Sequence, residues 1–230
     1  MASIVENVQR TLTRIREAEL RACRPAGSVA LLAVSKTRTP DEVRQAYAAG
    51  LRAFGENYLQ DALSKIEPLA DLDICWHFIG PLQSNKTRAV ATHFDWVHSV
   101  DRLKIAQRLS EQRPADMPPL NLCIQVNISR EPSKSGVAPD EVLALARQVA
   151  LLPRVVLRGL MAIPAADLDA AEQRHTFARM QQLLEQLQAH LPAVDTLSMG
   201  MSDDLEAAVA EGSTLVRIGT ALFGPRPESA

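Results

Sequence analysis

What most limits the fold of this chain is an alternation. Short apolar runs of strand type are followed, again and again, by stretches with helical spacing. "SVALLAVS" (28–35) precedes "TPDEVRQAYAAG" (39–50), in which Thr39 is the expected N-cap, Pro40 the first helical residue and Gly50 the stop. "LRAFGE" (51–56) leads into a helix over about 57–70, "DICWHFIG" (73–80) into one over about 84–93, and "FDWVHS" (94–99) into "DRLKIAQRLSEQ" (101–112). "LNLCIQVNI" (120–128), "VVLRGLMAI" (155–163) and "VDTLSMG" (194–200) are followed by helical stretches at 138–152, 168–190 and 202–212. "TLVRIG" (214–219) ends in the short "TALFG". Residues 3–22 form a leading amphipathic helix, with Ile4, Val8, Leu12 and Ile15 on one face. Strands apolar on both faces are expected of a parallel sheet covered by helices. Eight such units predict a closed (β/α)8 barrel of TIM type as a single domain over 1–230, with an extra N-terminal helix. No GxGxxG follows the first strand, which argues against a doubly wound dinucleotide-binding sheet. Pro114, Pro118 and Pro119 mark one longer loop.

Composition narrows the function classes. A formal net charge of −2 without a basic or acidic block argues against nucleic-acid binding and against an electrostatic membrane anchor. No apolar run reaches membrane-spanning length, and Ile4 to Arg24 mixes charges in a way no signal peptide does. Three widely spaced cysteines, Cys23, Cys75 and Cys123, read as reduced thiols, so the expected compartment is the cytoplasm. A bare barrel with no coiled-coil stripe is expected as a monomer.

In a barrel, chemistry belongs at the C-terminal ends of the strands. There stand Lys36; Glu56, Asn57 and Tyr58; His77, Gln83, Asn85 and Lys86; Asn127, Ser129, Ser133, Lys134 and Ser135; Met161; Ser198 to Ser202; and Arg217, Gly219 and Thr220. The loops after the last two strands, "GMSD" and "RIGTALFG", suit a phosphate: Gly200 and Gly219 admit close approach, Ser202 and Thr220 donate, and helix starts at 202 and 220 favour negative charge. Ser202 also reads as a plain N-cap, and Asp203 and Asp204 are expected to turn away from an anion.

Of the five lysines, Lys65 and Lys104 fall within helices and are expected in solvent. Lys86 and Lys134 compete with Lys36, which is favoured because a rigid strand fixes a reacting atom better than a loop does. A partly desolvated amine is a nucleophile toward aldehydes. A lysine and a phosphate cradle at one end of a barrel suggest a phosphorylated aldehyde, of which pyridoxal 5′-phosphate (PLP) is the obvious member. Arg217, always charged and donor-only, would keep a pyridine nitrogen unprotonated and the ring a poor electron sink. It also reads as a structural ion pair. The residues leave open a cofactor-free Schiff-base aldolase.

"AVSKT", "FGENYLQD", "WHFIGPLQSNK", "KSG", "RGLMAIP", "LSMGMSDD" and "VRIGTALFG", spread over about residues 4–225, resemble the PLP homeostasis proteins (YggS, or proline synthase co-transcribed, family). That family is similar to the N-terminal barrel of alanine racemase and of fold-type III decarboxylases. The resemblance implies an internal aldimine at Lys36, a phosphate held by Ser202, Gly219 and Thr220, Arg217 at the pyridine nitrogen, Asn57 beside the cofactor and Met161 near the ring. It implies buffering or delivery of PLP, with transient contact to PLP-dependent apo-enzymes. His77 and Asn85 belong to the family pattern; for His77 a hydrogen-bonding role in the core is expected. The C-terminal β-domain of the racemases has no counterpart here, and neither Tyr47 nor Tyr58 is placed as a second base. Binding without efficient turnover is therefore expected; weak racemase activity is the alternative.

Overall fold

A computed structural model describes residues 2–131, 134–165 and 168–225. Ser133 lies outside the described residues. The strands are β1 (Ala30–Val34), β2 (Ala53–Glu56), β3 (Cys75–Phe78), β4 (Trp96–Val100), β5 (Leu120–Gln125), β6 (Val155–Met161), β7 (Thr196–Ser198) and β8 (Leu215–Ile218). They pair in chain order and in parallel, and β8 closes on β1 with Leu32 opposite Arg217. This is the predicted closed (β/α)8 barrel.

The helices are α1 (Ile4–Arg21), α2 (Pro40–Ala48), α3 (Leu59–Ile66), α4 (Thr87–His93), α5 (Leu103–Gln112), α6 (Val142–Val149), α7 (Ala170–Gln188), α8 (Leu205–Ala210) and α9 (Thr220–Phe223). Local chemistry sets their starts. Ser3 with Glu6, Thr39 with Glu42 and Asp169 with Glu172 close reciprocal capping boxes, each satisfying two amides that the first turn leaves unpaired. Pro40 occupies the first turn of α2, which ends just before Gly50, as expected. Helix α1 lies against α8 and α9, beside the β8–β1 seam.

Two layers of apolar burial hold the barrel. The larger cluster joins strand residues such as Phe54, Phe78, Leu122 and Ile124 to the buried helix faces. A smaller one, Leu32, Ile79 and Leu215 with Val34 and Ala53, fills part of the interior. Gly55 faces it so closely that a Cβ would stand 3.1 Å from Leu32. Polar side chains occupy another part of the interior: His77 stacks on Trp96 with ring centroids 5.2 Å apart, and the Arg158 guanidinium lies 4.8 Å from the Trp96 ring centroid.

Several sequence expectations change. Helix α8 begins at Leu205 with Asp204 as its N-cap, so Ser202 is not a cap residue but part of the loop before it. Helix α9 has only four residues; a single turn adds little dipole at its start. Lys104 is exposed, but Lys65 is not in solvent: it is 1 % exposed and paired to Glu56, which is itself fully buried. The helical spacing of α3 puts position 65 on the same face as Leu59 and Ala62, against the sheet.

Candidate functional site

Strand β1 ends at Val34, and Ser35 continues the ladder by donating its amide to the Gly55 carbonyl. Lys36 follows in a tight turn, closed by the Arg38 amide on the Ser35 carbonyl, and is half-buried. It stands two residues beyond the strand rather than in it. Its side chain enters a cavity of about 580 Å³ at the C-terminal mouth of the barrel. Among the described residues Lys36 is the one lysine lining that cavity; Lys86 borders a separate, smaller recess with Tyr58, and Lys134 is paired to Glu131 at 3.4 Å.

Asn57, Ser202, Arg217, Gly219 and Thr220 line the same cavity. Met161 does not; it is fully buried at the end of β6, in register with Ser198. Asn57 is set by a close backbone approach, since a Cβ on Gly80 would fall 2.0 Å from the Asn57 carbonyl oxygen. The Asn57 Oδ1 atom is buried and has no hydrogen-bond partner among the described residues. A buried amide oxygen without a donor marks a place where a ligand or water is due.

Arg217 is 5 % exposed. Its Nη1 donates to the Ser198 carbonyl at 2.7 Å and to Ser198 Oγ at 2.8 Å, and its Nη2 to the Ala162 carbonyl at 2.9 Å. Nε–H and the other Nη2–H have no acceptor among the described residues. No carboxylate there lies within ion-pair distance, so the structural ion pair considered from the sequence is not what holds it. Burial pulls its pKa down to about 10, which still leaves the guanidinium protonated at neutral pH.

Behind Ser198 the barrel interior carries a file of hydrogen bonds. Ser198 Oγ lies 2.8 Å from His98 Nδ1, His98 Nε2 lies 2.8 Å from His77 Nδ1, and His77 Nε2 lies 3.4 Å from Cys75 Sγ. Since Arg217 donates to Ser198 Oγ, the serine hydrogen is free for His98 Nδ1. His98 then carries its proton on Nε2, and His77 on the nitrogen facing sulfur. The opposite polarity would leave the buried Ser198 hydroxyl without an acceptor. Burial pushes the His77 pKa to about 3 and holds His98 well below the usual imidazole range, where His77 and Arg217 act in the same direction. The core role expected for His77 is the one observed, whereas Asn85 is exposed and outside the cavity.

The loop before α8 has its own support. Arg14 of α1 grips Glu206 through Nε and Nη2, both at 2.6 Å, and donates from Nη1 to the Ser202 carbonyl at 2.7 Å. Arg14 also lines the cavity, and sequence reasoning missed it because its partners lie about 190 residues away. Gly200 is required by packing as much as by anion approach: its φ is +97°, and a Cβ would meet Ala208 Cβ at 2.5 Å. The Asp204 carboxylate accepts the Met201 amide, while Asp203 lines the cavity, so the expectation that both aspartates turn away is not met at Asp203.

Comparison with known proteins places these features. A profile of the family described as alanine racemase, N-terminal domain, matches residues 7–227. The pyridoxal phosphate homeostasis protein of Pseudomonas aeruginosa is 62 % identical over 230 residues, covering 100 % of this chain and 99 % of that protein. The protein of the same name from Escherichia coli K12 is 51 % identical, with 100 % and 99 % covered. The structure of PipY from Synechococcus elongatus, described as having PLP bound, superposes with a TM-score of 0.82 at 42 % identity, covering 96 % of this chain and 100 % of that one. An alanine racemase from Clostridium difficile superposes with a TM-score of 0.78 at 12 % identity over 97 % of this chain and 58 % of its own, which speaks to the fold alone. The chain belongs to the alanine racemase N-terminal domain family and, within it, to the pyridoxal phosphate homeostasis proteins.

Proposed function

We propose that this protein binds PLP in the mouth cavity, holds it covalently through Lys36, and serves intracellular PLP homeostasis by buffering and delivering the cofactor without efficient turnover. The observation that carries the reading is the convergence of Lys36, Asn57, Ser202, Arg217, Gly219 and Thr220 on one cavity. The names of the relatives and the PLP bound to PipY support it. The orphaned Asn57 Oδ1 and the two unengaged N–H groups of the buried Arg217 fit a polar, ring-bearing ligand.

PLP supplies a reactive aldehyde, an electron-withdrawing ring and a phosphate. Each part has a counterpart in the chain. Lys36 offers the amine. Ser202 and Thr220, whose hydroxyls have no protein partner among the described residues, would hold the phosphate beside Gly219, with Arg14 fixing the Ser202 loop and adding positive charge. Arg217 would meet the ring nitrogen as a donor that keeps its own proton, so the nitrogen stays unprotonated. Asn57 would lie beside the ring. Met161 would act from the packed layer next to the Ser198–Arg217 contact.

A two-base racemase needs an acid or base on the face opposite the lysine. Among the described residues no tyrosine or cysteine lines the cavity: Tyr58 borders the smaller recess, and Tyr47 stacks under Arg52. This supports a carrier rather than a catalyst. Recipients would be PLP-dependent apo-enzymes, met transiently by a monomer. No described helix is long and apolar enough to cross a membrane. The free thiols of Cys23, Cys75 and Cys123 fit the reducing cytoplasm.

Borohydride reduction with peptide mapping tests the assignment. The pyridoxyl label is expected on Lys36 and absent in Lys36→Ala; a label on Lys86 or Lys134 would overturn it. Deuterium exchange at Cα of alanine in D2O is expected at background, and exchange at ordinary enzymatic rates would make the protein a racemase.

A further inference from the structure

The turn that carries Lys36 is held from behind by a buried charged cluster that the sequence did not announce. Ser35 Oγ donates to Glu56 Oε1 at 2.6 Å, and Lys65 Nζ donates to the Ser35 carbonyl at 2.8 Å. The same Nζ stands 2.7 Å from Glu56 Oε1 and 3.1 Å from Asp61 Oδ2, so its three N–H groups are all engaged. On the other side of Lys36, the Thr37 amide donates to Asp61 Oδ2 at 2.8 Å. Thr37 sits at φ +65°, a left-handed conformation that a β-branched residue adopts only where its surroundings impose it. Glu56 and Lys65 are 0 % and 1 % exposed, and none of the three cluster residues lines the cavity. A buried ion pair adds little net stability over an apolar one of the same shape. Its geometry here is spent on the backbone at residues 35 and 37.

We propose that the Glu56–Lys65 pair, with Asp61, is a positioning device for the Lys36 amine: it grips the chain on both sides of residue 36 and fixes where that side chain enters the cavity. The inference rests on the reading of Lys36 as the point of covalent attachment. Attachment requires the neutral amine nitrogen to add its lone pair to the aldehyde carbon. The carbonyl oxygen then leaves as water with the two amine hydrogens, and a C=N bond remains. The rate of that step depends on where Nζ stands relative to a ring and phosphate held by other residues. Glu56, Lys65 and Asp61 touch neither, so they act only through the turn.

The test compares wild-type protein with Lys65→Met/Glu56→Gln and with Asp61→Ala, each as the full chain. Two quantities are read: the rate of covalent capture of PLP, followed by borohydride trapping and mapping, and the affinity for pyridoxamine 5′-phosphate. The latter has the ring and phosphate but no aldehyde. Capture at Lys36 is expected to slow by about ten- to hundredfold in the double variant and less in Asp61→Ala, because small misplacements of a reacting atom carry large rate penalties. Pyridoxamine 5′-phosphate affinity is expected to stay at the wild-type value. Asp61→Asn, which keeps an acceptor for the Thr37 amide, should restore the rate. Asp61 is only partly buried, so the Asp61→Ala and Asp61→Asn pair decides the matter even if the double variant does not fold. Wild-type capture rates in the variants would overturn the proposal, as would a parallel loss of pyridoxamine 5′-phosphate affinity. If wild-type protein is labelled elsewhere than Lys36, the underlying reading falls and this inference with it. If it is labelled at Lys36 and the variants behave as wild type, the positioning inference falls alone.

Discussion

Behind β1 and β2, Ser35, Glu56 and Lys65 are sealed against α3 with Asp61 at the rim, and the cluster is charged. Inside the barrel the file of His77, His98, Ser198 and Arg217 is sealed just as fully, yet both imidazoles are neutral. Depth of burial is the same in the two regions: Glu56 and His98 are both 0 % exposed. What differs is the set of partners. Glu56 has an ammonium 2.7 Å away, and that attraction opposes the burial that lifts its pKa to about 7. Among the described residues the histidines have no carboxylate beside them; burial works against a proton on both, and for His98 the neighbouring His77 and the Arg217 guanidinium act the same way. Charge is kept where backbone must be gripped. Neutral, directional hydrogen bonds are kept where one arginine must be aimed into a cavity.

The hardest test of that contrast is to remove one half of the charged pair. Lys65→Met is expected to cost about 3–5 kcal/mol of unfolding free energy at pH 8, because it strands a buried carboxylate. The loss should be smaller at pH 6, where Glu56 can take up a proton; urea titrations at both pH values would show it. An equal loss at both would mean that Glu56 is not charged in the folded protein.

The two regions should also titrate in opposite directions. A buried histidine with a depressed pKa binds fewer protons folded than unfolded. The stability it lends is full above pH 6.5, falls as pH drops through 6.5, and levels off only near its folded value, about 3 for His77. Between pH 6.5 and 5 this amounts to roughly 2 kcal/mol for His77, and His98 acts in the same direction. Glu56, with a raised pKa, binds more protons folded than unfolded between about 4.5 and 7, so its contribution grows as pH falls through that window. Glu56→Gln should therefore steepen the acid loss of stability, and His77→Gln should flatten it. Denaturant midpoints at successive pH values measure both slopes, and parallel slopes in the two variants would break the comparison.

Ser198→Ala removes an acceptor from Arg217 and the donor to His98 Nδ1. It is expected to cost about 1–2 kcal/mol and to leave the Lys36 turn untouched. The pyridoxyl label should still form at Lys36 while noncovalent affinity for the ring weakens. The smallest effect is expected at the periphery. Arg14→Ala frees the Ser202 loop and should weaken PLP binding about fivefold, the scale of one charge-assisted hydrogen bond to a half-exposed partner, as read by fluorescence titration.

Much of this was legible in the residues. The eight apolar runs predicted the strands, and the ladder pairs them in the order in which they were read. Thr39-Pro40 predicted the start of α2, because a cap and its box lie within four residues of one another. Helix ends were overdrawn: the stretch 202–212 shrank to Leu205–Ala210, since Met201 to Asp204 turn on the Asp204 carboxylate instead. Lys65 was misread as solvated because a lysine in a helix is usually so, although its spacing from Leu59 and Ala62 carried the opposite signal.

Local sequence thus determined the order of strands and helices, the capped starts and the gathering of Lys36, Asn57, Arg217, Gly219 and Thr220 at one end, because parallel strands of a barrel deliver their C-termini to one face. Only the tertiary structure decided which charges were sealed and who met whom. The contacts of Arg14 with Glu206, His98 with Ser198 and Lys65 with Ser35 span 192, 100 and 30 residues. At such separations no local preference acts; the closed barrel and the helices packed on it bring these groups within hydrogen-bonding reach.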